Sequence, residues 1–430
     1  MRDLMMAMAM AAAIPMALMN GFVAYLLWGW SAVLSPTFYL YGFMASFRFN
    51  FAFAVISIGL LLLGRLQQKG VFQWNRTTVL LVLFLLHAAL STLFAYRPNP
   101  ALGNEMEDFA KSMVYCLLMP FFVTSRFRIH AMLIMIAFGL GLHGVVEGGK
   151  VLTSAGGHNV HGIPSSKMSD NNHFAVAMAM VLPILLYLYQ YSQKKWVSLG
   201  FLVALVLTVM SILGTNSRGG FLAMAVVGIW LVLTSRRKFL SLVVVGMCTL
   251  AVFYFAPDTW FSRIDSIGDA GEDSSFLGRL SAWKISAAIA LQNPIFGGGM
   301  RAQQIGWIYE MFKDAPSLFD LTSGFVVSYA VAAHSIYFEV LGEQGFLGLA
   351  LFLAILANAL ITRGEIGRLA KKLGDEFVWA RDLADLLAVS VVAFAVGGAG
   401  VSLAHFETIY VVVMLQELLK QQLLKAVPQK

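Results

Sequence analysis

Only two cysteines, Cys116 and Cys248, occur in 430 residues, and each sits inside an apolar run. Cysteines so placed behave as small hydrophobes, which excludes a disulfide framework or a zinc cluster. Charge is equally scarce. Asp, Glu, Lys and Arg make up 12% of the chain against 59% hydrophobic residues, a balance that excludes an ordinary water-soluble domain and places the chain among membrane proteins. There is no low-complexity tract and no internal repeat. The first residues, MRDLMMAMAMAAAIP, offer only Arg2 as a basic n-region and no convincing small-residue cleavage site, so we read them as an uncleaved first span.

What is present is a succession of apolar stretches, each close to the length needed to cross a hydrocarbon core of about 30 Å. They fall at about 4–34, 49–64, 77–95, 109–123, 129–149, 172–190, 196–213, 219–234, 238–256, 336–361, 383–400 and 404–420. The expectation is an all-α polytopic membrane protein of about twelve transmembrane helices. The first stretch is interrupted by Pro15 and Asn20-Gly21, and reads either as one kinked crossing or as two half-helices.

The net charge of +7 could suggest a polyanionic partner, but its distribution explains it differently. Basic residues concentrate in alternate connections: Arg65/Lys69/Arg76, Arg126/Arg128, Lys194/Lys195, Arg236/Arg237/Lys238, Arg363/Arg368/Lys371/Lys372/Arg381 and the tail Lys420/Lys425/Lys430. That alternation marks cytoplasmic loops and removes the case for nucleic acid. The remaining connections, at about 96–108, 150–171, 214–218, 257–335 and 401–403, then face outward. The chain divides into an N-terminal membrane bundle (1–256), one large outer loop with short helices (257–335) and the C-terminal spans (336–430). Within the loop, SSFLGRLSAWKISAAIALQNP reads as a helix lying over the outer mouth of the bundle. It has Ser274 or Ser275 as cap, Leu277, Leu280, Trp283 and Leu291 as its apolar stripe, and Asn293-Pro294 as its stop.

Chemistry could reside at several outward positions, each with an ordinary alternative. Arg218, in TNSRGGFLA, either snorkels to the interface or waits for an anion at a helix N-terminus, with Gly219-Gly220 clearing side chains so that a ligand can approach the backbone. Arg279 is either a structural loop arginine or the second arm of a diphosphate clamp, a task that suits the guanidinium fork. The turn IFGGGMRA (295–302) lacks the Lys-Ser/Thr of a P-loop and reads first as a flexible turn; its Arg301 is a further candidate for substrate binding. His334, in AAHSIYFEVLGEQGFLG, is either a satisfied interfacial residue or a general base. On a helix, Glu339 would lie about 140° round from His334 and Glu343 about 180°, so neither forms an obvious dyad with it. These acids instead suggest a polar interior, with the span itself starting nearer Gly345. Glu105, Glu107 and Asp108 either begin the following helix or hold a divalent cation, and His158, His161 and His173 with Asp170-Asn171-Asn172 fit no zinc signature.

Taken together, TNSRGGFLA, RLSAW...NPIFGGG and AHSIYFEVLGEQGFLG resemble the signature of the O-antigen ligase and polymerase superfamily, multi-span glycosyltransferases of the bacterial inner membrane. The resemblance covers roughly residues 170–362. It implies a glycan carried on undecaprenyl diphosphate in the periplasmic leaflet and transferred to an acceptor hydroxyl, which in ligases belongs to the lipid A-core. The reaction it implies is inverting and metal-independent, without a cofactor. Carried onto this sequence, Arg218 and Arg279 would grip the diphosphate, His334 would deprotonate the acceptor, and Asn172 would be a weaker substrate contact. The outer loop 257–335 would then be periplasmic. Polymerases and O-linked protein oligosaccharyltransferases share these motifs. A lipid or anion transporter is the reading from another class, but the internal symmetry with paired broken helices that usually points to one is missing.

Overall fold

A computed structural model describes residues 1–96, 100–164, 166–234, 246, 274–317 and 330–427. Among them there are helices and connections but no strands. The helices are α1 (Arg2–Met19), α2 (Gly21–Leu34), α3 (Phe49–Leu62), α4 (Arg76–Leu93), α5 (Pro100–Phe122), α6 (Arg126–Thr153), α7 (Asn171–Tyr191), α8 (Lys195–Gly214), α9 (Arg218–Thr234), α10 (Ser274–Gln292), α11 (Gly306–Phe312), α12 (Ile336–Leu373), α13 (Val378–Gly397) and α14 (Glu407–Ala426). Seven of the described helical segments are long and apolar enough to cross a membrane: α1, α4, α6, α7, α8, α12 and residues 375–400 around α13. The chain is therefore a multi-pass helical membrane protein. The stretch expected to span at 238–256, Cys248, the Arg236–Lys238 cluster and much of the 257–335 loop lie outside the described residues.

Local sequence explains several boundaries. The interrupted first stretch is two helices, and the break falls at Asn20, whose extended backbone lets its Oδ1 accept from the Phe22 N–H at 3.0 Å; Pro15 stays inside α1. Glu105, Glu107 and Asp108 lie within α5, which begins at Pro100 rather than near 109, so they are helical residues and not an outer loop. Helix α10 stops at Gln292, next to the Asn293-Pro294 signal. Its apolar stripe differs from the expected one: Leu291 is exposed, whereas Ala282, Ile285, Ala287 and Ile289 are buried. The reason is close helix crossing. A Cβ at Gly342 of α12 would meet Ser286 Oγ at 2.9 Å, so small residues let the helices approach there, while Trp283 of the expected stripe stacks on Phe338 of α12.

Helix α7 is the centre of the bundle. From Phe174 to Leu185 every residue is buried, because α6, α8, α9 and α13 surround a segment that is apolar on all sides. Helix α12 packs on α4, α10, α13 and α14 and is broken at Gly345 (φ 67°, ψ −169°), the position where a polar entry was expected to give way to the span. The break leaves carbonyls without helical partners, and each is answered. Gly298 and Gly299 donate backbone N–H groups to the carbonyls of Gly342 and Glu343 at 2.9 and 3.0 Å, and His87 Nε2 lies 2.9 Å from the carbonyl of Gln344. The 297–299 glycines are thus a docking turn on α12. A Cβ at Gly297 would fall 2.6 Å from the Gln344 nitrogen, which is why the turn needs glycine there.

The two ends of the bundle differ in chemistry. At one end Arg363 pairs with Asp385 at 2.5 Å and Lys420 with Glu417 at 2.7 Å, and Arg363 also stacks over Trp230 near the C-terminus of α9. Arg218 opens the same helix twelve residues earlier, about 18 Å away along its axis. The ion-paired basic end and the Arg218 end are therefore opposite.

Candidate active site

The platform of the site is the turn that follows α13, Gly397 to Ser402, whose middle forms a single 3-10 turn at Gly398–Gly400. Its glycines admit neighbouring elements closely. A Cβ on Gly397 would meet Val176 Cγ2 at 2.8 Å and Ala223 Cβ at 2.9 Å, and one on Gly398 would meet Ile336 Cδ1 at 2.5 Å. Helices α7, α9 and α12 thereby arrive at one turn.

Arg218 comes to it on α9. Ser217 begins that helix, its Oγ accepting from the Gly220 N–H at 3.1 Å, and the Gly219 carbonyl lies 3.4 Å from the position of a Gly397 Cβ. Arg218 itself is exposed. Of the two glycines after it, Gly220 does not clear space for a ligand as expected: a Cβ there would stand 2.4 Å from Ala175 Cβ, so that glycine serves the packing of α9 on α7. Arg279 arrives on α10, with Nη1 at 3.9 Å from the position of a Gly400 Cβ. One turn further along α10, Trp283 donates its Nε1–H to the Ala333 carbonyl at 2.7 Å and so fixes the chain next to His334.

His334 is not helical. It takes a left-handed conformation (φ 46°), unusual and costly for a residue with a Cβ, and its N–H donates to Ser402 Oγ at 2.8 Å. Its ring is half-buried, and Nδ1 has no hydrogen-bond partner among the described residues. Burial lowers its pKa from the ordinary imidazole value and the Arg279 charge lowers it further, while Asp170 opposes both. The imidazole is consequently neutral around pH 7 and able to accept a proton. Asp170 caps α7, accepting from the Asn172 N–H at 2.8 Å, and His173 of the same turn is an electrostatic neighbour of His334. Arg279 and His334 thus share the Gly397–Ser402 turn, and the N-terminus of α9, which carries Arg218, packs on the same turn. Ser402→Ala removes the acceptor of the His334 N–H and should release its strained left-handed backbone, which a changed His334 ring signal in NMR would show.

The other candidates have partners of their own. The Asn172 side chain donates to Asn171 Oδ1 at 3.1 Å, and Asn171 in turn ties α7 to the Thr215 carbonyl at 2.8 Å. Arg301 follows the docking turn (φ 53°); its N–H donates to Glu343 Oε1 at 2.7 Å and its guanidinium pairs with Glu105 at 2.5 Å. Glu105 also faces Lys167, while Glu107 and Asp108 pair with Lys111. The three acids considered for a divalent cation are therefore matched by basic side chains, and no group of three ligating residues exists among the described residues. His158 pairs with Glu147 at 2.8 Å.

Sequence reasoning missed Ser402, the glycines of the turn and His405, having treated 401–403 as a short connection. The unusual density of glycine in GGAG beside SLAH was the available signal, but only the fold shows what the glycines admit. A cavity of about 1640 Å³ opens beside the site; its lining includes His173, Ala332 and Ser402, and also Arg301, Glu343 and His405.

Comparison with known proteins divides the chain. Residues 203–353, which carry Arg218, Arg279, Arg301 and His334, match the family model described as O-antigen ligase, and residues 1–193 match a family of unknown function. No curated protein matches. The platform turn lies beyond both matched segments.

Proposed function

Because the chain belongs to the O-antigen ligase/polymerase superfamily, we propose that it moves a glycan from undecaprenyl diphosphate to a hydroxyl of the lipid A-core sugar, at the periplasmic face of the bacterial inner membrane. The observation that carries this reading is that Arg279, a neutral His334 and the helix N-terminus bearing Arg218 all reach a single turn. The concentration of Arg363, Lys420 and their partners at the other end of the bundle supports the sidedness. In the reaction the acceptor hydroxyl gives its proton to His334 as its oxygen attacks the anomeric carbon. The bond from that carbon to the diphosphate oxygen breaks with inversion, and the electron pair leaves on undecaprenyl diphosphate. Arg218 and Arg279 stabilise the charge that develops there, and the imidazolium afterwards releases its proton to water. No cofactor enters. The polyisoprenyl chain stays in lipid while its diphosphate meets cations at headgroup height.

The deciding experiment offers purified protein a carrier-linked glycan together with lipid A-core, a pilin-type peptide and a second carrier-linked glycan. Modification of lipid A-core is expected, undiminished by EDTA. Elongation on the carrier would make the protein a polymerase, modification of the peptide an oligosaccharyltransferase, and loss of transfer on chelation would refute the metal-independent step.

A further inference from the structure

The cavity beside His334 contains a second polar group that the transfer step does not use. Glu339 and Glu343 lie one turn apart on α12 and both line the cavity, as do His405 and Thr408. Two of the carboxyl oxygens are engaged. Glu339 Oε2 accepts from the Ala404 N–H at 2.8 Å, and Glu343 Oε1 accepts from the Arg301 N–H at 2.7 Å. Two oxygens are not: Glu343 Oε2 and Thr408 Oγ1 have no hydrogen-bond partner among the described residues, although each residue is only 1% exposed. The imidazole nearest to Glu343 Oε2, His405 Nε2, stands 3.7 Å away, beyond hydrogen-bond reach.

A buried carboxyl oxygen left without a hydrogen-bond partner is costly, and natural sites keep such atoms when a ligand completes them. The surroundings define that ligand. Burial first, then the charges of Lys167 and Arg301, push the pKa of His405 down to about 3, so the imidazole is neutral and supplies no counter-ion. The same two cations oppose a metal ion in this position. A neutral molecule rich in O–H donors meets the need, and Trp28 and Phe406 on the cavity lining offer faces to the apolar side of a sugar ring.

We infer that Glu343 and Thr408 form a sugar subsite for the acceptor, exchanging hydrogen bonds with ring hydroxyls while the hydroxyl to be glycosylated reaches His334. The identity of the sugar as part of the acceptor rests on the transferase reading above; the binding itself does not. The cavity joins the two places, since Ser402 and His173 line it next to His334.

The probe is the free core oligosaccharide, released from lipid A and offered to the full-length protein in nanodiscs, with binding followed by saturation-transfer NMR. Glu343→Gln and Thr408→Val are each expected to weaken binding by about tenfold, the value of one lost hydrogen bond to such a group, and to raise the acceptor KM while the donor KM stays constant. His334→Ala should bind the oligosaccharide as the wild type does. Thr408→Val changes shape least and keeps the test sound if Glu343→Gln fails to fold. Failure of the oligosaccharide to bind, or binding untouched by both substitutions, overturns the subsite. Binding that depends on Glu343 and Thr408 without transfer to lipid A-core would instead leave the subsite standing and refute the proposed acceptor.

Discussion

His334→Ala is expected to lower glycan transfer by about 10²–10⁴-fold, the contribution of a positioned general base, with carrier-lipid binding retained. The expectation follows from geometry before chemistry. His334 is held by Ser402 through its backbone, and by Trp283 through the neighbouring Ala333 carbonyl. Its ring is kept neutral chiefly by burial and also by Arg279. A base with a lowered pKa remains deprotonated to lower pH, so the acid limb of the rate profile should have its midpoint below pH 6.5, the ordinary imidazole value. Removing a charge that raises the pKa moves that limb further down, and removing one that lowers it moves the limb up. Asp170→Asn, which keeps a capping oxygen on α7, should therefore shift the limb to more acidic pH, and Arg279→Gln should shift what activity survives to higher pH. A limb that stays in place in both variants would remove His334 from the role of base. A transporter would behave differently again, since its turnover need not depend on this imidazole.

The second large effect concerns the two arginines. Arg218→Ala and Arg279→Ala should each cost about 10²–10³ in transfer rate, as loss of one preorganised donor to a developing oxyanion does. Lysine should restore little at either position, because a point charge cannot reproduce two parallel N–H donors on a phosphate. The two substitutions should also fail to multiply. In the proposed reaction both side chains act on one leaving group, so the double variant is expected to fall short of the product of the single losses. Kinetics with carrier-linked glycan at saturating acceptor measure this directly. Independent, fully multiplicative losses would mean that the arginines serve separate ligands.

Much of this was legible in the residues, for identifiable reasons. Arg218, Arg279 and His334 stood out because charge is rare in this chain and each lies beside a helix boundary that glycine, serine or the Asn-Pro signal marks. The boundary itself was readable at Asn20, at Gln292 and at Gly345, where local backbone preference acts without help from distant parts. Roles that depend on what lies opposite were not readable. Gly219-Gly220 looked like room for a ligand, and at Gly220 that room is filled by Ala175; Leu291 looked like core and is exposed. The helical angles that separated Glu339 and Glu343 from His334 do not apply, since His334 precedes the helix. The meeting of these acids with Ala404, His405 and Arg301 had no trace in spacing, because those partners arrive from other parts of the chain.

Sequence alone determined that the chain is helical, that its long apolar segments belong in a membrane, and which few polar side chains could carry chemistry. Hydrophobic length and helix punctuation are local properties, written within a few turns of each residue. Tertiary structure decided that α7, α9, α10 and α12 all reach the Gly397–Ser402 turn, and that two buried oxygens of residues lining the adjoining cavity remain without partners. Those facts depend on how closely helices can approach one another, which is set by the side chains on both sides of each crossing and therefore by residues far apart along the chain.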